Sequence, residues 1–400
     1  MHTGEQVGST TLDEPEGGAP AGEQLEAAPG GPSRRQLLLG AAALVAGGAA
    51  WGLGRGGDRE PERGRVAVSG PEPLWTYRGE VPQAADRVAG AGTVPLLATT
   101  EQVYLLSPDS GAVVKRIELP SGPPGPRAED LLAAGDRVHQ VGGGRFTAYG
   151  YGPDQSVAIP PEAGRFCQLL DVDGDVLFGV GGFEDGALFA LDLPTGRPCW
   201  LRTARENDGF LTDLQPAPGG RLVARSTRDE VVALSAADGS VLWSASADQA
   251  LSWRECDAER VYTARRANGV RAFGLADGRP GWVLEDESWR PIRPLAADGA
   301  LYLLRDNGEV TRNVPADGSQ VWSCRLPFRL DSRCRPVAVG GTLFVPGPTG
   351  GGVWALDIAT GAVRWTFRDA EPGVQVWRLN TDGKRLYAGH DRVLHALPIA

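Results

Sequence analysis

Four arginines stand at a repeated offset ahead of apolar, strand-forming runs. Arg293, Arg335 and Arg378 each lie eight residues before a leucine (Leu301, Leu343 and Leu386), and Arg254 lies seven before Val261. Guanidinium groups gathered in one place grip a carboxylate or phosphate through paired N–H donors. Trp253, Trp289 and Trp377 stand close by, in SWR, SWR and VWR, and would offer flat platforms to a ligand or peptide. The competing reading is that these arginines pair with acids of neighbouring strands and the tryptophans pack as wedges.

Other chemistry finds little footing. The histidines outside the N-terminal tail are His139, His390 and His395. His395 falls in the column held by Tyr104, Phe189 and Trp354, which marks it as a packing residue; His390-Asp391 reads as a hairpin tip. Neither H-E-x-x-H nor paired C-x-x-C occurs, so no metal site is expected. No G-x-S-x-G elbow presents a nucleophile. The GVGG at Gly179–Gly182 has no helix after it and reads as a hairpin turn.

The elements that must position these residues recur about every forty positions. An aromatic strand, an Asp/Thr-Gly turn and a tryptophan are found in LFALDLPTGRPCW, VVALSAADGSVLW, RAFGLADGRPGW, VTRNVPADGSQVW and VWALDIATGAVRW. These end at Trp200, Trp243, Trp282, Trp322 and Trp365, with spacings of 43, 39, 40 and 43. A weaker copy, VYLLSPDSGAVVK, carries Lys115 in the tryptophan position. A fixed period of this length signals a solenoid, a propeller or an array. Each period holds four short β runs separated by Gly, Asp and Pro. Leu188, Ala190 and Asp192 alternate with Phe189 and Leu191, and both faces are largely apolar, as suits a sheet packed between two others. The repeated tryptophan would wedge neighbouring sheets together, with its N–H on a backbone carbonyl.

Second strands are expected near Val94, Arg137, Val176, Arg221, Arg260, Ala300, Thr342 and Lys384, which makes eight units. The eighth has no outer strand before Ala400, whereas PLWTYRG at Pro73–Gly79 carries Trp75 with no strands before it. Donating that strand to the last unit closes a ring and leaves no open edge between the termini. The expected fold is an all-β, eight-bladed β-propeller closed by Pro73–Gly79. In such a ring the first strand of each blade lines the central channel, so the four arginines would form a half-ring there.

The wording of the repeats resembles the pyrroloquinoline-quinone (PQQ)-type propeller family, whose repeats read roughly LYALDAxTGxxLW. The likeness covers about Pro71 to Ala400 and is poorest in the second blade, RFTAYGYGPDQSVAIPP. The family includes quinone-dependent dehydrogenases, non-enzymatic assembly propellers and propellers fused to actinobacterial Ser/Thr kinases. The resemblance implies that an enzyme of this kind would hold its quinone beneath a disulfide between adjacent cysteines, with a calcium bound by Glu, Asn and Asp. Cys167, Cys199, Cys256, Cys324 and Cys334 are all isolated. Their odd number leaves at least one thiol unpaired. Cys324 and Cys334 are near in sequence but fall on an outer and an inner strand, at opposite radii. No cofactor is therefore expected and no enzyme activity; a quinone-dependent oxidoreductase and a small-anion sensor at the arginines are the alternatives.

Ahead of the ring, residues 1–32 hold six acids, no Lys or Arg and much Gly, Ala and Pro. They are expected to be a disordered tail. Residues 33–54 read SRRQLLLGAAALVAGGAAWGLG, uncharged from Gln36 to Gly54, which is long enough to cross a bilayer core. Arg34 and Arg35 precede it as in a twin-arginine export signal and mark a cytoplasmic flank. Residues 55–70 form a linker and 71–400 the propeller. Without the tail's acids, the 40 bases nearly balance the remaining acids, which gives no reason to expect nucleic-acid binding. The expectation is a scaffold or sensing module on the extracytoplasmic side, anchored through residues 36–54 or exported. Its partner would be an envelope protein or peptide.

Overall fold

The computed structural model describes residues 69–399 except 80–86, 92–93, 99–101, 119–130, 135–136, 143–144, 153, 159–166, 182–186, 203–210, 248–250, 266–268, 286–290, 372 and 374–375. The segments expected to be a disordered tail, an export signal or anchor with Arg34 and Arg35, and nearly all of the expected linker lie outside the described residues. Among the described residues no helix is long and apolar enough to cross a membrane.

Eight four-stranded antiparallel sheets make up the unit Val66–Ala400. Seven are built from four consecutive strands. Blade four, for example, runs through Leu211–Ala217, Arg221–Ser226, Glu230–Ser235 and Val241–Ser246 from inner to outer strand. The eighth takes Arg378–Thr381, Arg385–His390 and Val393–Pro398 from the C-terminal end and Trp75–Arg78 from the N-terminal end. In that closing ladder Trp75 faces Ala396 and Thr76 faces His395. Inner strands of neighbouring blades lie side by side, and Arg87–Ala91 of blade one meets Arg378–Thr381 of blade eight. This is the closed propeller that the split repeat predicts.

The core lies between blades rather than within them. Leu188 and Ala190 of blade three pack with Leu222 and Val232 of blade four. Phe189 and Leu191, on the opposite face of the same strand, pack with Phe146 and Ala148 of blade two. Each sheet therefore buries both faces, which is why its third strand reads as an unbroken apolar run. One blade alone would expose two such faces to water, so the blades hold one another folded.

Candidate functional site

The turn phrase and the tryptophan are two halves of one contact. In each phrase the chain folds back through a bond from the glycine N–H to the carbonyl four residues earlier, as from Gly239 to Ser235 and from Gly361 to Asp357, both 2.8 Å. That glycine sits in the left-handed region, with φ of 71° at Gly239 and 72° at Gly361. The tryptophan of the preceding blade lies on it. A Cβ built on Gly239 would stand 2.7 Å from Trp200, and one on Gly278 would stand 2.5 Å from Trp243. The indole N–H then donates to the carbonyl three residues before the glycine. Trp75 reaches Pro108 O at 2.7 Å, Trp200 Ala236 O at 2.9 Å and Trp243 Leu275 O at 3.0 Å. Trp282 reaches Pro315 O and Trp322 reaches Ile358 O, both at 2.9 Å. Trp365 is buried in the seam between blades seven and eight. Where the repeat is degenerate the contact is improvised. Lys115 sends its ammonium to the Asp154 carboxylate and to Gly150 O at 3.4 Å, and Val157 covers Gly196.

The arginines singled out by their offset stand at the inner ends of four successive blades. Arg254 belongs to the inner strand Leu251–Cys256 and Arg293 to Pro291–Ala297. Arg335 is exposed just ahead of Val337–Val339, and Arg378 opens Arg378–Thr381. The side chains of Trp253, Arg254 and Arg293, and all of Trp289, lie outside the described residues. Arg378 is half-buried and its charge acts on Asp331 and Cys334, in the segment between blades six and seven. Burial would raise the Asp331 carboxyl. The Arg333 guanidinium, 2.7 Å away, together with a backbone N–H and the Arg378 charge, holds it below the usual range. Trp377 has no exposed surface and packs on His390, Phe367 and His395 with ring centroids 4.4, 5.8 and 5.9 Å away. Trp377 is thus a wedge, and it offers no face to a ligand.

That tryptophan covers a polar cluster the sequence did not reveal. His390 and His395, both buried, turn their Nε2 atoms to the Asp369 carboxylate, at 2.9 and 3.0 Å from His390 and 2.9 Å from His395. His390 Nδ1 lies 3.1 Å from Asp391 Oδ2 and His395 Nδ1 lies 2.9 Å from Thr76 Oγ1. Burial lowers the proton affinity of His395; Asp369 works against that shift, while His390 and Arg78 add to it. The packing expectation for His395 foresaw its burial but not its bonds. Asp369 lies 26 residues away and outside the repeated phrase, so periodicity gives no sign of it.

Fit to a quinone can be tested on the residues present. Cys199, Cys256, Cys324 and Cys334 form no disulfide and none is adjacent to another, and the side chain of Cys167 lies outside the described residues. Among the described residues no group of three His, Cys, Asp or Glu side chains is placed to hold a metal ion. These residues do not fit the cysteine-capped quinone and calcium of the dehydrogenases.

Comparison with known proteins follows the repeats. The family profile described as outer membrane protein assembly factor BamB, a PQQ-type repeat, matches residues 184–323 and 270–397, together more than half of the chain. The chain belongs to this PQQ-like β-propeller family. BamB of Yersinia pestis is 29% identical over 204 residues, 45% of this chain and 51% of that protein. BamB of Escherichia coli is 28% identical over 238 residues, 52% and 58% of the two chains. The chain thus spans about half the length of the curated relatives it matches. Among solved structures, the computationally designed Ika8 protein superposes with a TM-score of 0.65 at 14% identity, over 82% of this chain and all of its own. BamB from Moraxella catarrhalis gives 0.50 at 17% identity, over 68% and 86%. The quinohemoprotein alcohol dehydrogenase ADHIIG from Pseudomonas putida gives 0.55 at 12%, over 82% and 76%. At such identities these likenesses speak for the fold alone.

Proposed function

We propose that this protein is an extracytoplasmic β-propeller scaffold that binds an envelope protein or peptide and does not catalyse. In this reading residues 36–54 anchor it to the membrane, or Arg34-Arg35 direct its export. The observation that carries the proposal is the rim of the ring. Val113, Val114, Val241, Leu242, Val283, Val321 and Val363 are all exposed and all lie on outer strands, with Leu74 just ahead of the closing one. An outer strand also offers unpaired backbone groups, the setting in which an extended segment adds to a sheet. Ser69 already bridges in parallel to Thr366 on the outer strand Val363–Phe367, so one edge accepts a further segment of chain. Membership in a family whose curated relatives are named as assembly factors supports the same reading.

The test is photo-crosslinking in the native host, with a photoreactive residue at Leu242 or Val321 and a control at buried Leu234. A discrete envelope partner captured from the rim and not from the control is the expected result. Equal labelling from rim and core would sink the proposal.

A second reading attaches to the inner arginines. Arg254, Arg293 and Arg378 on inner strands, with Arg335 just ahead of another, would hold a small carboxylate or phosphate. Phosphate or citrate should then raise the melting temperature, and Arg293→Ala with Arg335→Ala should abolish the rise. An unchanged response in that double variant would end the anion reading.

A further inference from the structure

The buried cluster under Trp377 ties together parts of the ring that come from opposite ends of the chain. Asp369 follows the outer strand of blade seven, His390, Asp391 and His395 belong to the last hairpin, and Thr76 is on the N-terminal strand. One line of bonds runs Asp391–His390–Asp369–His395–Thr76. Elsewhere the His395 column holds Tyr104, Phe189 and Trp354, so shape alone would be met by an apolar ring. An imidazole there keeps its place only if its nitrogens are paired, and both are.

We propose that this line is a proton-sensitive latch on ring closure, holding the strand Trp75–Arg78 to blade eight near neutral pH and loosening it on acidification. A carboxylate only accepts, so His395 Nε2 carries the hydrogen toward Asp369, and a neutral imidazole leaves Nδ1 to accept from the Thr76 hydroxyl. A second proton turns that acceptor into a donor, so the Thr76 hydroxyl must turn to accept and its own hydrogen loses Nδ1 as a partner, while a cation forms on a buried ring. Thr76 holds the only bond of the line that crosses to the closing strand, so the change falls there.

Among the described residues, the charged groups facing His395 are Asp369 from blade seven, His390 from its own blade and Arg78 from the closing strand. Asp391 lies on His390, and Glu371 pairs with Arg78 at 3.0 Å. Burial lowers the proton affinity of His395 from its ordinary value of 6.5, and Arg78 and His390 lower it further. The unfolded chain then binds the proton first as pH falls. The contribution to stability is full above about 6.5 and is lost as pH drops through the folded value.

The test is amide hydrogen exchange of the full chain at ~pH 7.5 and ~pH 5.5, corrected for intrinsic rates, with protection of residues 75–78 compared with that of Arg260–Arg265. Roughly tenfold faster corrected exchange at the lower pH, confined to the closing strand, is expected from a local opening. His395→Phe, which copies Phe189 of the same column, should remove the pH response. Thr76→Val keeps the strand and its shape, and should leave exchange in 75–78 equally fast at both pH values. Unchanged protection of the wild type on acidification overturns the proposal, and so does a full acid response in Thr76→Val. If His395→Phe does not fold, the threonine variant decides.

Discussion

Trp75, Trp200, Trp243, Trp282 and Trp322 each cover a glycine and donate to a carbonyl, and the two functions can be separated by substitution. Gly278→Ala places a methyl on a backbone with φ of 69° and 2.5 Å from Trp243. Left-handed strain and overpacking together should cost about 2–4 kcal/mol, read as a lower urea midpoint. Trp243→Phe keeps a ring on the glycine but leaves Leu275 O without its donor, and should cost about 1–3 kcal/mol in the same measurement. The thiols offer a second residue-scale check. Burial pushes Cys334 up to about 11, while Cys199 is exposed. A disulfide reagent at mildly alkaline pH should therefore label Cys199 in the folded protein and reach Cys334 only after denaturation.

The closing strand is the element on which the whole ring depends. Removing the chain through Gly79 would strip Val393–Pro398 of its ladder partner and uncover Gly111, which Trp75 shields. Thermal unfolding of that truncation should lose its sharp transition, and a synthetic peptide of residues 71–79 should restore part of it. Much of this architecture was legible. Val176, Arg221 and Ala300 begin second strands where the spacing puts them, and the eighth begins at Arg385, one residue past Lys384. Repetition made that legible, because every blade states the same pattern of apolar faces and turn glycines. The tryptophan was legible as a wedge between blades with its N–H on a carbonyl, but the glycine it covers was hidden, since that glycine belongs to the next blade and reads there as local turn chemistry. Asp369 was hidden for the opposite reason, being a contact made once. Of the arginines picked out by their offset, Arg254, Arg293 and Arg378 fall on inner strands and Arg335 just ahead of one, but Trp377 beside Arg378 turned inward, because a large ring next to Phe367 and two histidines is worth more buried than presented.

Across the whole molecule the seams are unequal. Blade two is met by Lys115 on one side and meets Gly196 through Val157 on the other, whereas blades three to seven are joined by tryptophan. Its strands Arg145–Gly150 and Gln155–Ala158 should exchange amide hydrogens well before Arg260–Arg265, which mass spectrometry of peptic fragments would resolve. For the intact chain, pyrroloquinoline quinone with calcium should leave the melting temperature unchanged. A bound cofactor at a hundredfold excess over its Kd would add about 2.7 kcal/mol, a shift easily seen. The turn contact also has a direction, since Trp75, Trp200, Trp243, Trp282 and Trp322 each reach forward to the next blade. The contact is heterologous, head to tail, and it closes only because the last blade reaches the first, as in a cyclic oligomer whose subunits happen to share one chain. Where the chain begins is then a matter of genetics more than of packing. Circular permutants opened at a loop between tryptophan-latched blades, with the present closing strand joined covalently into its blade, should fold to the same ring.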